Sequence, residues 1–124
     1  FTERHSLGGL VSALAAVRTS HCFVCACDMP FIDSRILDGL WERRGGFQAV
    51  VPVWNGVRQP LCALYRRDAA EPLEEMIAAG RLSIQEALDR LSVLELDGGR
   101  LDPSGRAFSD LDTADEYEIA RGLP

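Results

Sequence analysis

Cys22-Phe23-Val24-Cys25-Ala26-Cys27-Asp28-Met29-Pro30 decides how this chain is read. Residues 22–26 form a short continuous apolar run that stops at an aspartate and a proline. A strand covered on both faces looks like this, because neither face calls for polar side chains and Pro30 cannot donate to a ladder. Asp28 is then left at the rim, past the carboxyl end of the strand. Upstream, Ser6-Leu7-Gly8-Gly9 reads as a glycine-marked loop opening a helix over 10–17, with Leu7, Leu10, Val11, Leu14 and Ala15 at helical spacing. Downstream, Asp33 or Ser34 caps a helix that carries Ile36, Leu37, Leu40 and Trp41 and stops at Gly45-Gly46.

The remainder continues the alternation. Residues 47–53 predict a second strand, and Trp54-Asn55-Gly56-Val57 contains an Asn-Gly turn signal before an extended stretch over 59–65, which reads as a hairpin or an irregular crossover. Leu73, Met76 and Ile77 mark one stripe of a helix over 68–79 ending at Gly80, and Ser83-x-x-Glu86 is a capping box for the next. A strand over 92–96, a turn at Asp97-Gly98-Gly99, an extended stretch at Ala107 and Phe108, and a last helix capped by Thr113-x-x-Glu116 and ending near Gly122 complete the reading. Strands alternating with helices predict an α/β sheet in a single domain over 1–124, with ligands outside the carboxyl ends of the strands.

Composition narrows the classes. With 47% hydrophobic and 26% charged residues in 124, there is apolar material for one core. A net charge of −6 argues against a nucleic-acid partner, whose phosphates are bound by clustered Lys and Arg. No apolar run approaches the roughly 20 residues of a membrane span, and no signal-peptide pattern opens the sequence, so a cytoplasmic location is the expectation. Three of the four cysteines, Cys22, Cys25 and Cys27, sit in the strand segment and Cys62 in the 59–65 stretch. That placement favours structural cysteines over a disulfide scaffold or a zinc site, whose second cysteine pair is absent. The chain opens Phe1-Thr2-Glu3 without an initiator methionine, which reads as part of a longer protein.

Asp28, with a second acid from Asp110 or Asp112, has the chemistry to hold Mg²⁺, which takes one or two carboxylates together with substrate phosphates and waters. Taken alone, an aspartate before proline is more often a turn residue or cap than a ligand, and Asp112 equally suits the N-cap of the final helix.

Several segments read together resemble one family. Ser6-Leu7-Gly8-Gly9-Leu10, Ala26-Cys27-Asp28-Met29-Pro30-Phe31, Gln59-Pro60-Leu61-Cys62-Ala63-Leu64-Tyr65 and Phe108-Ser109-Asp110-Leu111-Asp112-Thr113 occur in the order and rough spacing of the molybdenum cofactor guanylyltransferases. Cys27-Asp28-Met29-Pro30 is shared with the wider nucleotidyltransferase superfamily. Gln59-Pro60-x-x-Ala63-Leu64-Tyr65, preceded by Pro52-x-Trp54-x-Gly56, narrows the resemblance to the cofactor enzymes.

The resemblance implies a Rossmann-like three-layer nucleotidyltransferase fold with a mixed sheet, incomplete at its N-terminus. It implies an enzyme that transfers GMP from GTP to molybdopterin, releasing pyrophosphate, with Mg²⁺ as cofactor. Asp28 matches the metal-binding and catalytic aspartate, Asp112 the second metal position, and Gly8 and Gly9 the loop lying against the nucleotide. Trp54, Gln59, Arg81 and Asp110 fall on the substrate side; Trp54 would stack on the pterin, although a half-buried loop tryptophan explains it as well. The sequence departs from the family where His5-Ser6-Leu7 replaces Gly-Pro-Leu and where Asp110-x-Asp112-Thr113 replaces Asn-x-Asn-Thr. The family's opening strand and Gly-rich loop, with its arginine and lysine, is not found, which predicts an uncovered sheet edge. The competing expectations are a sister enzyme using CTP and a non-catalytic cofactor-binding chaperone. GTP and molybdopterin are the expected partners, alongside a homo-oligomer or contacts with molybdoenzyme-maturation proteins.

Overall fold

The structure, a computed structural model, describes residues 3–26, 34–81, 83–103 and 117–120. In chain order these form α1 (Glu3–Ala16), β1 (His21–Ala26), α2 (Ser34–Glu42), β2 (Ala49–Trp54), β3 (Val57–Arg58) and β4 (Cys62–Arg66). A 3-10 turn (Arg67–Ala69) leads into α3 (Ala70–Ala78), followed by α4 (Ile84–Leu88), β5 (Val93–Asp97), α5 (Gly98–Leu101) and β6 (Tyr117–Ala120).

One mixed sheet contains all six strands. Because β4 runs antiparallel to both β1 and β2, those two are parallel to each other. β5 lies parallel along one flank of β2, from Ala49 opposite Val93 to Val53 opposite Asp97. On the other flank β4 meets Ala49 and Val50 while β3 meets Val53 and Trp54. Pro60, without an N–H, interrupts what would otherwise be one strand. The gap is stitched by Gln59 N–H donating to the Pro52 carbonyl (2.9 Å), Cys62 N–H to the Gln59 carbonyl (3.1 Å), and the Tyr65 hydroxyl to the Pro60 carbonyl. Asn55 (φ 52) and Gly56 (φ 76) close the β2–β3 hairpin, as a two-residue turn with both central residues left-handed requires.

Each strand sends alternate residues to opposite faces, and both faces are covered. Cys22, Val24, Ala49, Val51, Ala63 and Tyr65 pack with Leu7, Leu10 and Leu14 of α1, Leu73 and Met76 of α3, and Ala87 and Leu88 of α4. Phe23, Val50, Cys62 and Leu64 pack with Ile36 and Leu40 of α2, with Leu94, Leu96, Trp54 and Leu101 around them. This is the three-layer fold with a mixed sheet that the resemblance implied, and it explains why β1 reads as unbroken apolar sequence.

Three expectations are corrected. Ser6-Leu7-Gly8-Gly9 is not a loop: α1 begins at Glu3 and carries Gly8 and Gly9 in its interior. Leu7, Leu10, Leu14 and Val17 are 0–4% exposed, and packing of this stripe outweighs the helix cost of roughly 1 kcal/mol per glycine. Asp97-Gly98-Gly99 does not simply turn, because the Asp97 carboxylate accepts from the Gly99 N–H (2.9 Å) and caps the short α5. Residues 117–120 are a strand and not the predicted last helix; the cap expected at Thr113 and Glu116 lies outside the described residues. β1 has a neighbour on both sides, with β6 antiparallel along it from Phe23 opposite Ala120 to Ala26 opposite Tyr117, and β6 ends the order of the described strands. That pairing satisfies backbone groups that an open edge would leave exposed.

Candidate functional site

Parallel β1, β2 and β5 all end at one edge of the sheet, at Ala26, Trp54 and Asp97. Antiparallel β4 begins there, since Cys62 stands opposite Cys25, so the crossover carrying Gln59 lies at the same edge. Arg58 of β3 bonds Gln85 and Asp89 of α4. The topology thus places Trp54 and the Gln59 crossover at the end of the sheet where α/β proteins bind ligands, while Arg81 lies between α3 and α4.

The side chains differ in what they offer there. Trp54 is half-buried among the α2 and α5 residues, and a Cβ added at Gly99 would stand 3.8 Å from its ring. Gln59 is 8% exposed and its amide nitrogen donates to the Val57 carbonyl (3.0 Å), so that end of the side chain is spent on the hairpin's own shape. Arg81 is exposed, its N–H bonded to the Met76 carbonyl (2.9 Å) and its guanidinium 3.7 Å from the Glu86 carboxylate, an ion pair in solvent that holds it weakly. Gly8 lies in α1 with nothing among the described residues within 4 Å of where a Cβ would stand, so none of them requires glycine there. Gly9 is likewise a half-buried position of α1.

Asp28, Asp110 and Asp112 lie outside the described residues. Asp28 follows Ala26, the last residue of β1, by two positions, and Ala26 pairs with Tyr117, five positions after Asp112. Among the described residues no three His, Cys, Asp or Glu gather into a metal site, and the Cys22 and Cys62 side chains are buried in the core.

Two features were not anticipated from sequence. Arg58 spreads its guanidinium over α4, and the only hint was the helical i, i+4 spacing of Gln85 and Asp89, which aims both at one neighbour. A cavity of about 430 Å³ lies between α2, β5 and α5, with Arg43, Glu95, Asp97 and Arg100 in its wall; among the described residues, Gly8, Gly9, Trp54, Gln59 and Arg81 do not line it.

Three layers around a mixed sheet, with Trp54 and the Gln59 crossover at its carboxyl edge, make a Rossmann-like domain. Residues 1–94 match the family described as the MobA-like NTP transferase domain, and the chain belongs to that family. It is 32% identical to a probable molybdenum cofactor guanylyltransferase of Methanosarcina acetivorans, over 98% of this chain and 58% of the relative. It is 34% identical to a protein of the same description from Natronomonas pharaonis, over 96% of this chain and 60% of the relative. The crystal structure of molybdopterin-guanine dinucleotide biosynthesis protein A from Archaeoglobus fulgidus superposes with a TM-score of 0.70 at 29% identity, covering 88% of this chain and 60% of that one. A protein from Aquifex aeolicus shares the fold with a TM-score of 0.68 at 22% identity, covering 77% of this chain and 52% of that one. The chain therefore spans 52–60% of the length of these relatives. Among the described residues no helix is long and apolar enough to cross a membrane.

Proposed function

We propose that this chain forms part of a Mg²⁺-dependent nucleotidyltransferase that transfers GMP from GTP to molybdopterin, acting in the cytoplasm. The observation that carries this reading is the match, at 32–34% identity over nearly the whole chain, to relatives described as molybdenum cofactor guanylyltransferases. A terminal phosphate oxygen of the pterin attacks the α-phosphorus of GTP in line. The bond from that phosphorus to the bridging oxygen breaks, and pyrophosphate leaves.

Asp28 and Asp112 are the residues that would hold Mg²⁺. A hard cation that keeps phosphate and water ligands needs only one or two carboxylates, so Asp28 just past β1 and Asp112 ahead of β6 fit it. When bound, the ion supplies charge neutralisation at the transferring and leaving phosphates. Gly8 and Gly9, without side chains, admit the nucleotide close to the α1 backbone. Trp54 offers an aromatic face to the pterin, Gln59 and Asp110 polar contacts to its edge, and Arg81 a cation for its phosphate.

The test is thermal melting of the protein with Mg²⁺ and GTP, CTP or no nucleotide, repeated for Asp28→Asn. A ligand at about 100 times its Kd that binds only the folded state stabilises it by ~2.7 kcal/mol. A rise specific to GTP and lost in Asp28→Asn is the expected result. A rise with CTP alone assigns the other base, and no rise with either nucleotide sinks the assignment of nucleotide binding to this chain.

A further inference from the structure

We propose that Arg58 is the positioning residue of the acceptor side, holding the Gln59 crossover against α4 so that Gln59 and Arg81 share one anchor. This rests on the proposed function for the identity of the ligand. β3 is only two residues long, and its pairing is confined to Val53 and Trp54 of β2. A segment so short, next to the break at Pro60, has little of its own to fix it.

Arg58 supplies the missing restraint. Its Nε donates to Gln85 Oε1 (3.2 Å), one terminal nitrogen to the Gln85 carbonyl (3.0 Å) and the other to Asp89 Oδ1 (3.0 Å). Gln85 Nε2 returns a hydrogen bond to the Arg58 carbonyl (3.2 Å), so side chain and backbone of β3 are both clamped to the same helix turn. The planar fork of the guanidinium makes this geometry specific to arginine. The next residue is Gln59, whose N–H and carbonyl complete the stitching to Pro52 and Cys62. The same short helix receives Arg81 through Glu86 and is capped by Ser83, whose hydroxyl accepts from the Glu86 N–H (3.3 Å). Gln59 is thus tied through Arg58 to α4 and its C-cap residue Asp89, and Arg81 meets the same helix through its exposed ion pair with Glu86.

The experiment compares the wild-type protein with Arg58→Ala and Gln85→Ala by amide hydrogen exchange and by titration with molybdopterin and with Mg²⁺–GTP. The Gln59 and Cys62 amides should exchange about ten-fold faster in both variants, with those of β1 unchanged, because only the crossover is released. Molybdopterin Kd should rise about ten-fold while the GTP Kd moves by less than about two-fold. Arg58→Lys, which keeps charge but not the fork, should recover less than half of that loss on a logarithmic scale. Unchanged exchange at Gln59 overturns the positioning role. Faster exchange with equal weakening of both ligands, or of neither, overturns the acceptor assignment. A wild-type protein that fails to bind molybdopterin refutes the proposed function and the acceptor assignment with it, and the exchange data still decide whether Arg58 holds the crossover.

Discussion

The His21 imidazole meets the Trp41 indole edge to face, ring centroids 5.2 Å apart and planes at 79°, where the start of β1 touches the end of α2. Arg44 lies over that indole, its guanidinium carbon 3.6 Å from the ring centroid, and donates to the Trp41 carbonyl (2.8 Å). His21 is 8% exposed, its Nδ1 is 2.8 Å from the Ser20 hydroxyl, and its Nε2 is buried without a hydrogen-bond partner among the described residues. This cluster sits at the opposite end of β1 from the candidate site and is a structural element of the fold.

Burial, reinforced by the Arg44 and Arg66 guanidinium groups and opposed by Asp68, lowers the His21 pKa below its ordinary 6.5. From 6.5 down to that lower folded value, the unfolded chain binds a proton that the folded chain does not, so this contribution is intact above 6.5 and falls as pH drops through the window. Urea midpoints measured between pH 7.5 and 5.5 should therefore decline, with a slope from this one group of at most about 1.4 kcal/mol per pH unit. His21→Gln should flatten the decline; an equally steep one in the variant would assign it to other groups. Asp68, its carboxyl held below its ordinary 3.8 by Arg66, loses its contribution only in more acidic solution and does not contaminate this range.

Gly8→Ala separates a helix role from a nucleotide role. In the interior of α1, with open space for the added methyl, alanine should raise stability by about 0.5–1 kcal/mol. If the nucleotide lies against Gly8, the melting shift given by Mg²⁺–GTP should shrink in the same variant. A variant that is more stable and equally responsive to GTP would remove Gly8 from the nucleotide contact.

Gly56→Ala tests the hairpin. At φ +76 an alanine is strained although the space around it is open, and the expected loss is about 1–2 kcal/mol by denaturant midpoint. A loss of only a few tenths would mean that the β2–β3 turn relaxes to another conformation.

Much of the fold could be read from local pattern. β1, β2 and the apolar stripes of α2 and α3 carry their period in the sequence, and Ser83 caps α4 with the bond its spacing predicts. The readings that failed depended on partners far along the chain. Gly8 and Gly9 carry a local break signal, and only packing of Leu7 and Leu10 against the sheet shows that the helix continues through them. Tyr117-Glu118-Ile119-Ala120 is too short to declare its type, and pairing with β1 decides it.

Of the site, the sequence nominated Asp28, Trp54, Gln59 and Arg81 by type and motif, and hydrophobic pattern placed Asp28 and Trp54 after strands, Gln59 at the start of an extended stretch and Arg81 after a helix. Periodicity and turn chemistry act between neighbours, so they determined by themselves the elements and their order. Which strands run parallel, and therefore that Ala26, Trp54 and Asp97 end at one edge with the Gln59 crossover between them, depends on hydrogen-bond ladders closed between distant segments. The Arg58 clamp on Gln85 and Asp89 is of the same kind. No local pattern encodes it, because its donor and its acceptors become neighbours only after the sheet and the α4 layer have packed.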